Sequence, residues 1–240
     1  ISPHLGLGYL SAALKQAGHQ VKVLDGTREK ISYDPKDWDL VGLTAMSTYF
    51  PELCREVEKA KSYGLKTIIG GAHIICDPGQ SLVDSGADYA AAGEGERTIT
   101  QLASGMDPSK VEGLYYWENG KTVKSKPDLS EMFKQKVMYT TKIGKHSRDF
   151  INNVDDFGEP DWENIDPRSY PQTMPHGTIY KEAPFAPIIT TRGCPYSCTY
   201  CSAPITAGKK MRYRDPIKVV DEIEHLIKNY GVKEIQIEDD

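Results

Sequence analysis

Three cysteines near the carboxyl-terminal end of the sequence carry its clearest chemical signal. Cys194, Cys198 and Cys201 follow the spacing C-x3-C-x2-C. Three thiolates at this spacing can ligate three irons of a cubane and leave the fourth iron without a protein ligand. An open coordination position is what distinguishes a catalytic metal site from a structural one. The segment therefore predicts a [4Fe–4S] cluster with one open iron.

The main alternative for these cysteines is a structural zinc site. Zinc sites favour paired C-x2-C units with a fourth Cys or His, and the next histidine, His225, falls within a predicted helix. The other two of the five cysteines, Cys54 and Cys76, stand alone. This distribution favours a metal site in a reducing compartment, and we expect a cytoplasmic protein rather than a disulfide framework.

The cysteine loop is expected to lie in a second α/β unit over residues 188–240. We predict a strand at Ile188–Thr191 before the loop, and a strand at Glu234–Ile237 near the end of the chain. Between them, Asp215 caps a helix with Pro216 at its first position. Its predicted buried stripe is Val219, Ile223, Leu226, Ile227 and Tyr230. One strand, helix and strand cannot close a core, so we expect this domain to continue beyond residue 240.

Residues 1–108 are predicted to form a Rossmann-like, doubly wound parallel sheet, because short apolar strands alternate with helices. Its opening helix has no strand before it, so a first strand is expected to be missing from the sequence. That helix should bury Leu7, Leu10, Leu14 and Ala17. The predicted strands are 21–24, 40–45, 66–69 and 89–92, and the predicted helices are 4–18, 51–64, 80–84 and 95–102.

Residues 109–187 are predicted to connect the two domains. A β-hairpin pairs Leu114–Trp117 with Thr122–Lys124 through a Glu-Asn-Gly turn. From residue 126 to residue 187 the periodicity fades and prolines are frequent, so we expect an irregular linker that packs along both domains.

The cysteine motif, following a strand and preceding a strand-and-helix unit, resembles the radical SAM superfamily. This resemblance implies that residues 188–240 are the start of a partial (β/α) barrel, the radical SAM core. The aromatic residue before its third cysteine, Tyr200, fits the pattern of that family. The resemblance implies that the cluster cleaves S-adenosylmethionine to a 5′-deoxyadenosyl radical and that Tyr200 lies against the adenine. The family often ends its second strand with Gly-Gly-Glu; here Glu238, Asp239 and Asp240 occupy that place. Asp239 and Asp240 are the candidates for the methionine amine.

The amino-terminal region resembles the cobalamin-binding domain that precedes many radical SAM cores. Three segments carry this resemblance in order, namely residues 5–10, 70–73 and 93–96. Glycines at the carboxyl ends of parallel strands allow the backbone to approach a flat ligand. The candidate cobalamin contacts are Thr44, Ser47, Thr48, Gly70, Gly71, His73, Gly93, Glu94 and Gly95.

No histidine here lies in an Asp-x-His-x-x-Gly motif. A histidine lower ligand of that type is therefore not expected, and His73 is interpreted as a hydrogen-bonding neighbour. The alternative for this region is a vestigial or nucleotide-binding Rossmann-like fold. Arg212, Tyr213 and Arg214 resemble a basic stretch that recurs in the same class, or else form a solvated turn.

Together these resemblances imply a cobalamin-dependent radical SAM enzyme that methylates an unactivated carbon of a small-molecule substrate. A flavodoxin or ferredoxin would supply the electron. The alternatives are a radical cyclase, rearrangement or carbon–carbon coupling enzyme, and a methylthiotransferase without cobalamin. A methylthiotransferase usually has a second cysteine trio upstream, and only Cys54 and Cys76 are available here. A non-catalytic cobalamin or iron–sulfur sensor would bind the cofactors without cleaving S-adenosylmethionine.

The bulk composition agrees with a globular protein that binds small molecules. The sequence has 240 residues and a formal net charge of −5, with a pI near 5.7. This balance argues against a nucleic-acid partner. No apolar run approaches the roughly 20 residues that span a bilayer, and no signal peptide is visible, although the sequence opens with Ile1 rather than Met.

Overall fold

The computed structural model describes residues 2–124, 150–151, 153–170 and 181–239. Contacts between residues divide the chain into two compact units. Unit 1 contains residues 1–32, 152–192 and 211–240, and unit 2 contains residues 33–151 and 193–210. Within the described residues, no helix combines the length and apolar character needed to cross a membrane.

A five-stranded sheet organises unit 2. Its strands, in spatial and chain order, are β1 (Leu40–Thr44), β2 (Lys66–Gly70), β3 (Tyr89–Ala91), β4 (Leu114–Glu118) and β5 (Lys121–Lys124). The first three strands pair in parallel, which confirms the predicted α/β sheet. The predicted hairpin, β4 and β5, adds two antiparallel strands to the edge of this same sheet. Asn119 and Gly120, with φ of 50° and 75°, form its turn.

Helices cover both faces of this sheet. They are α2 (Phe50–Ser62), α3 (Ala72–Cys76), α4 (Pro78–Ser85) and α5 (Gly95–Ala103). Leu43, Ile69 and Ala90 lie side by side on adjacent strands, and their face packs against α2 and α4. On the opposite face, the open side of Gly42 is met by Ile99 of α5. Covering both faces is the doubly wound arrangement predicted from the alternating pattern. Short 3₁₀ helices occupy Pro35–Asp37, Ser47–Tyr49 and Pro108–Lys110.

Unit 1 joins the first helix to the carboxyl-terminal strands and helix. Its elements are α1 (Leu5–Gln16), β6 (Phe185–Ile188), β7 (Thr191–Arg192), β8 (Arg212–Tyr213), α7 (Pro216–Tyr230) and β9 (Glu234–Ile237), with 3₁₀ helices at Val154–Phe157 and Pro167–Ser169. The helix α6 (Ala203–Thr206) belongs to unit 2. Strands β6 and β9 pair in parallel, and β7 and β8 pair antiparallel. The predicted helix and the strand at Glu234–Ile237 are confirmed.

Two predicted strands differ from the structure. Residues 21–24 form no strand; instead the Asn164 side chain accepts from the N–H of Val23 and donates to the carbonyl of Val21, both at 3.4 Å. A side chain thus takes the hydrogen bonds that a neighbouring strand would have supplied. In place of the strand predicted at Ile188–Thr191, the structure has β6 at Phe185–Ile188, where four consecutive residues are buried, and the separate short strand β7 at Thr191–Arg192.

The buried faces of two helices were also predicted incorrectly in part. Helix α1 buries Leu5, Tyr9 and Ala13, whereas the predicted stripe through Leu7, Leu10 and Leu14 is only partly buried and Ala17 is exposed. Both stripes have helical spacing, and packing in unit 1 selects between them. In helix α7, Leu226 is fully buried, whereas Ile227 is 53% exposed.

The described part of the predicted linker contributes to a core. Trp162 and Ile165 are 2% and 0% exposed, and they pack with Leu5, Tyr9 and Leu226. The 153–170 segment is therefore an integral part of unit 1 rather than a spacer. The predicted domain boundaries at residues 108 and 187 stay a prediction. The two compact units are each built from separate stretches of the chain and do not follow these boundaries.

Candidate cofactor site

The candidate cobalamin residues converge on one edge of the unit 2 sheet. Thr44 and Gly70 are register partners at the last positions of β1 and β2. Gly93 follows the end of β3 after one intervening residue. Open α/β sheets bind ligands at this carboxyl edge. The parallel pairing of the strands thus brings together residues that lie about 50 positions apart in the sequence.

At Gly71, a residue of this edge, the structure leaves no room for a side chain. Its φ is 96° and its ψ is −175°, a conformation that only glycine adopts readily. A Cβ at this position would collide with Oγ1 of Thr44 and lie 3.7 Å from the N of Ala45. Gly93 is likewise left-handed, with φ of 122°. The two glycine turns therefore keep side chains out of the edge.

His73 is held in a defined orientation beside these turns. Its Nδ1 lies 3.0 Å from Oγ of Ser47, and its ring stacks on Phe50 at 4.1 Å between centroids. This geometry fits the interpretation of His73 as a hydrogen-bonding residue.

The remaining candidates at this edge differ in their surroundings. Thr48 lies in the exposed 3₁₀ helix Ser47–Tyr49. Gly95 is the first residue of α5, and Glu94 caps that helix without a side-chain hydrogen bond to it. The Glu94 carboxylate instead accepts from the backbone N–H of Ile151 at 2.5 Å. The Glu94 carboxylate therefore has a partner within unit 2, and its contact with cobalamin stays a prediction.

The cysteine loop is shaped by backbone hydrogen bonds. The N–H of Cys194 donates to the carbonyl of Gly208 at 2.9 Å, and the N–H of Cys201 donates to the carbonyl of Cys198 at 3.2 Å. Gly193 has φ of 101°, and a Cβ there would collide with the carbonyl oxygen of Lys210. The N–H of Ala203 points to Sγ of Cys201 at 3.5 Å. Such N–H···S bonds help to tune the potential of iron–sulfur clusters.

The thiols of this loop fit a cluster with an open iron. All three cysteines are free, Cys198 is exposed, and Tyr196 and Tyr200 are 71% and 92% exposed. Among the described residues, no three His, Cys, Asp or Glu side chains converge in a way that could hold one metal ion. A cubane needs each thiolate to reach a different iron, and the three cysteines of the loop supply one thiolate for each of three irons.

The cysteine loop and the sheet edge belong to the same compact unit. Helix α6, which follows Cys201 by one residue, packs against α3, the helix that carries His73. The sequence predicted the two sites in separate domains, and nothing in its local pattern indicated this contact.

Asp239 has its carboxylate engaged by the turn after β6. Its oxygens accept from the N–H of Thr190 at 2.7 Å, the hydroxyl of Thr190 at 2.5 Å and the N–H of Thr191 at 2.9 Å. Burial alone would raise the pKa of Asp239, but these hydrogen bonds outweigh it and hold the pKa below its ordinary value. Asp240 lies outside the described residues.

Unit 1 also contains a buried polar network whose contacts the sequence analysis did not predict. Arg214 donates to Glu222 at 2.5 Å, to Asp155 at 3.2 Å and to the carbonyl of Ile189 at 3.0 Å. Trp162 donates to the same Glu222 carboxylate at 3.1 Å. The only sequence feature that pointed to this network was the basic stretch 212–214. The structure shows that Arg214 is buried rather than part of a solvated turn.

Two protein families match this chain. Residues 1–103 match the B12 binding domain, and residues 188–239 match the radical SAM superfamily. The chain thus carries a match to the B12 binding domain followed by a match to the radical SAM superfamily. The predicted fold class is confirmed, as are the predicted cofactors, cobalamin, a [4Fe–4S] cluster and S-adenosylmethionine. The assignment of individual residues to these cofactors stays a prediction.

Curated relatives resemble the chain along nearly its whole length. An uncharacterized methyltransferase of Pyrococcus horikoshii is 28% identical over 99% of this chain and 49% of its own length. Cytidylyl-2-hydroxyethylphosphonate methyltransferase of Streptomyces wedmorensis is 27% identical over 98% of this chain and 50% of its own length. An anaerobic magnesium-protoporphyrin IX monomethyl ester cyclase of Cereibacter sphaeroides is 27% identical over 96% of this chain. The chain thus spans about half the length of the first two relatives.

A solved structure supports the fold along the entire chain. The radical S-adenosylmethionine methyltransferase TsrM of Kitasatospora setae, solved with cobalamin and a [4Fe–4S] cluster, matches with a TM-score of 0.69 and 20% identity. The match covers 100% of this chain and 46% of TsrM.

Proposed function

We propose that this protein is a cobalamin-dependent radical SAM methyltransferase that acts on an unactivated carbon of a small molecule. One observation carries the proposal: a loop with three free cysteines packs in the same unit as a sheet edge whose glycine turns leave backbone room for a flat cofactor. When bound, the cluster and cobalamin supply an electron to S-adenosylmethionine and a methyl group to the substrate.

In this proposal each cysteine of the loop holds one iron of the cluster. Cys194 is fixed through its backbone N–H, and Cys201 accepts an N–H at sulfur, so the loop is preorganised for the ligands. Tyr200, which is 92% exposed, is available to cover the adenine. Asp239 orients the turn between β6 and the cysteine loop, and Asp240 remains the candidate for the methionine amine.

The glycine turns of unit 2 are proposed to admit the cobalamin. Gly70, Gly71, Gly93 and Gly95 leave the edge free of side chains, so backbone N–H groups can approach the ligand. Thr44, Ser47 and Thr48 offer hydroxyl groups for its nucleotide tail. His73, oriented by Ser47 and Phe50, donates or accepts one hydrogen bond at the same edge.

The names of two relatives support methyl transfer, and the name of the second contains a small-molecule substrate, cytidylyl-2-hydroxyethylphosphonate. A second candidate function, radical cyclisation without methyl transfer, is favoured by the similarity to the magnesium-protoporphyrin cyclases. We further propose that reduced flavodoxin or ferredoxin supplies the electron. Five free thiols suit the reducing cytoplasm, where we place the protein.

Anaerobic reconstitution of the full-length protein tests the cofactors. We expect about four irons per protein molecule, as one cubane requires, and a molar amount of cobalt equal to that of the protein. We also expect 5′-deoxyadenosine to form when dithionite and S-adenosylmethionine are added. Iron without cobalt would overturn the cobalamin proposal, and zinc alone would overturn the cluster as well. Cofactor binding without 5′-deoxyadenosine would indicate a sensor.

Methyl transfer and cyclisation are separated by their other products. A methyltransferase also consumes S-adenosylmethionine as a methyl donor and releases S-adenosylhomocysteine, and a trideuterated methyl label passes into the substrate. A cyclase gives 5′-deoxyadenosine without S-adenosylhomocysteine. Incubation with a small-molecule extract and labelled S-adenosylmethionine, followed by mass spectrometry, distinguishes the two.

A further inference from the structure

Glu94, a residue of the candidate cobalamin edge, contacts a distant part of unit 2. It follows β3 and Gly93, and its carboxylate accepts from the N–H of Ile151 at 2.5 Å. Ile151 is itself buried, with 2% of its surface exposed. The sheet edge therefore holds a segment that lies more than 50 residues further along the sequence.

The neighbouring residue, Phe150, reaches the cysteine loop. Its ring lies over Gly208, so that a Cβ built on Gly208 would come within 3.0 Å of two ring carbons. Gly208 is buried and left-handed, with φ of 83°. Only a residue without a side chain allows the ring to pack this closely.

Gly208 in turn fixes the first cysteine. Its carbonyl accepts from the N–H of Cys194 at 2.9 Å. Cys194 also follows Gly193, whose left-handed backbone lies against the carbonyl of Lys210. A continuous path of contacts thus runs from Glu94 through Ile151, Phe150 and Gly208 to Cys194, entirely within unit 2.

We propose that Glu94 and Phe150 are positioning residues that fasten the cysteine loop to the cobalamin edge. Glu94 holds the backbone of residues 150 and 151, and Phe150 presses on the glycine that orients Cys194. The middle of the loop is not buried, because residues 195–200 are all exposed. This inference rests on the proposed function, since it assumes that the loop holds the cluster.

The rate at which a ferrous chelator removes iron from the reconstituted full-length protein tests the inference. We expect Phe150→Ala to release iron roughly tenfold faster than wild type, a typical effect for a residue that couples two sites. Phe150→Leu should be intermediate. Tyr63→Ala is the matched control, because Tyr63 is a half-exposed aromatic residue at the end of α2 and should release iron at the wild-type rate.

The Glu94 variants test whether the two residues act on one path. Glu94→Ala should accelerate iron release, and Glu94→Gln, which keeps an acceptor oxygen, should restore much of the wild-type rate. The double variant Glu94→Ala/Phe150→Ala should be no faster than the faster single variant. A merely structural loss would instead add the two effects.

The far-ultraviolet circular dichroism spectrum of each variant reports whether the protein is folded. Should Phe150→Ala fail this check, Phe150→Leu and Glu94→Ala carry the test. Wild-type iron release in every folded variant, or equal acceleration in Tyr63→Ala, would overturn the inference. A wild-type protein that retains no cluster would instead overturn the proposed function, so the two failures are distinguishable.

Discussion

Arg214 and Glu222 form an ion pair that is removed from solvent, with side chains 1% and 0% exposed. The guanidinium also reaches Asp155, and the carboxylate also accepts from Trp162. Every strong polar group in the cluster therefore has a partner, as a buried charge requires. The network joins helix α7, the 3₁₀ helix Val154–Phe157 and the carbonyl of Ile189 after β6.

Removing Glu222 should destabilise the protein strongly, because Arg214 would keep its charge without its closest partner. We expect Glu222→Ala to lower the free energy of unfolding by about 3–5 kcal/mol. Glu224→Ala on the same helix is the control: its pair with Lys228 is exposed to solvent, so its loss should leave the free energy of unfolding nearly unchanged. Urea unfolding followed by circular dichroism measures both, and equal midpoints would contradict the prediction.

Gly71→Ala should weaken both the fold and the retention of cobalamin. The added methyl group would meet the hydroxyl of Thr44 in a backbone conformation that alanine avoids. Gly64→Ala is a suitable control, since Gly64 is also left-handed, with φ of 80°, but has nothing within 4 Å of its added Cβ. We expect Gly64→Ala to cost about 1 kcal/mol and to leave cobalamin retention unchanged. Unfolding curves and cobalt content test this, and equal cobalt loss in both variants would refute it.

Asp239 should make stability depend on pH at the acid end. Because its pKa is lower in the folded protein than in the unfolded chain, it stabilises the fold above the unfolded pKa of about 3.9. That contribution is lost as pH falls through the folded value. The stability difference between wild type and Asp239→Asn should therefore shrink on acidification below about pH 4. Thermal unfolding across pH 3–7 measures this, and a stability difference that stays constant over that range would contradict the prediction.

Cys198→Ala should abolish formation of 5′-deoxyadenosine and lower the iron content after reconstitution. The expected loss in turnover is at least about 1000-fold, because the loop would keep only two of its three thiolates. Cys54→Ala and Cys76→Ala remove thiols that lie outside the loop and should retain iron and turnover. If product formation survives in Cys198→Ala, the ligand assignment is wrong.

Local patterns predicted several parts of this protein well. The helix Pro216–Tyr230 is confirmed with its Asp215 cap and its Gly231 end. The parallel strands β1 to β3 and their glycine turns are confirmed because apolar runs and glycines encode them locally. The strand predicted at residues 21–24 fails for the opposite reason, since a distant side chain, Asn164, takes its hydrogen bonds.

The sequence by itself determined the chemistry: cysteine spacing fixes which metal centre the loop can hold, and the glycine turns fix where a flat cofactor can approach. The cysteine spacing and the glycine turns are each encoded within a few consecutive residues. Only the tertiary structure decided which distant residues support them. It brought Glu94, Ile151 and Phe150 to the loop of Cys194 and buried Arg214 against Glu222. Such contacts depend on how the elements pack, and packing is set by many weak interactions that no short pattern encodes.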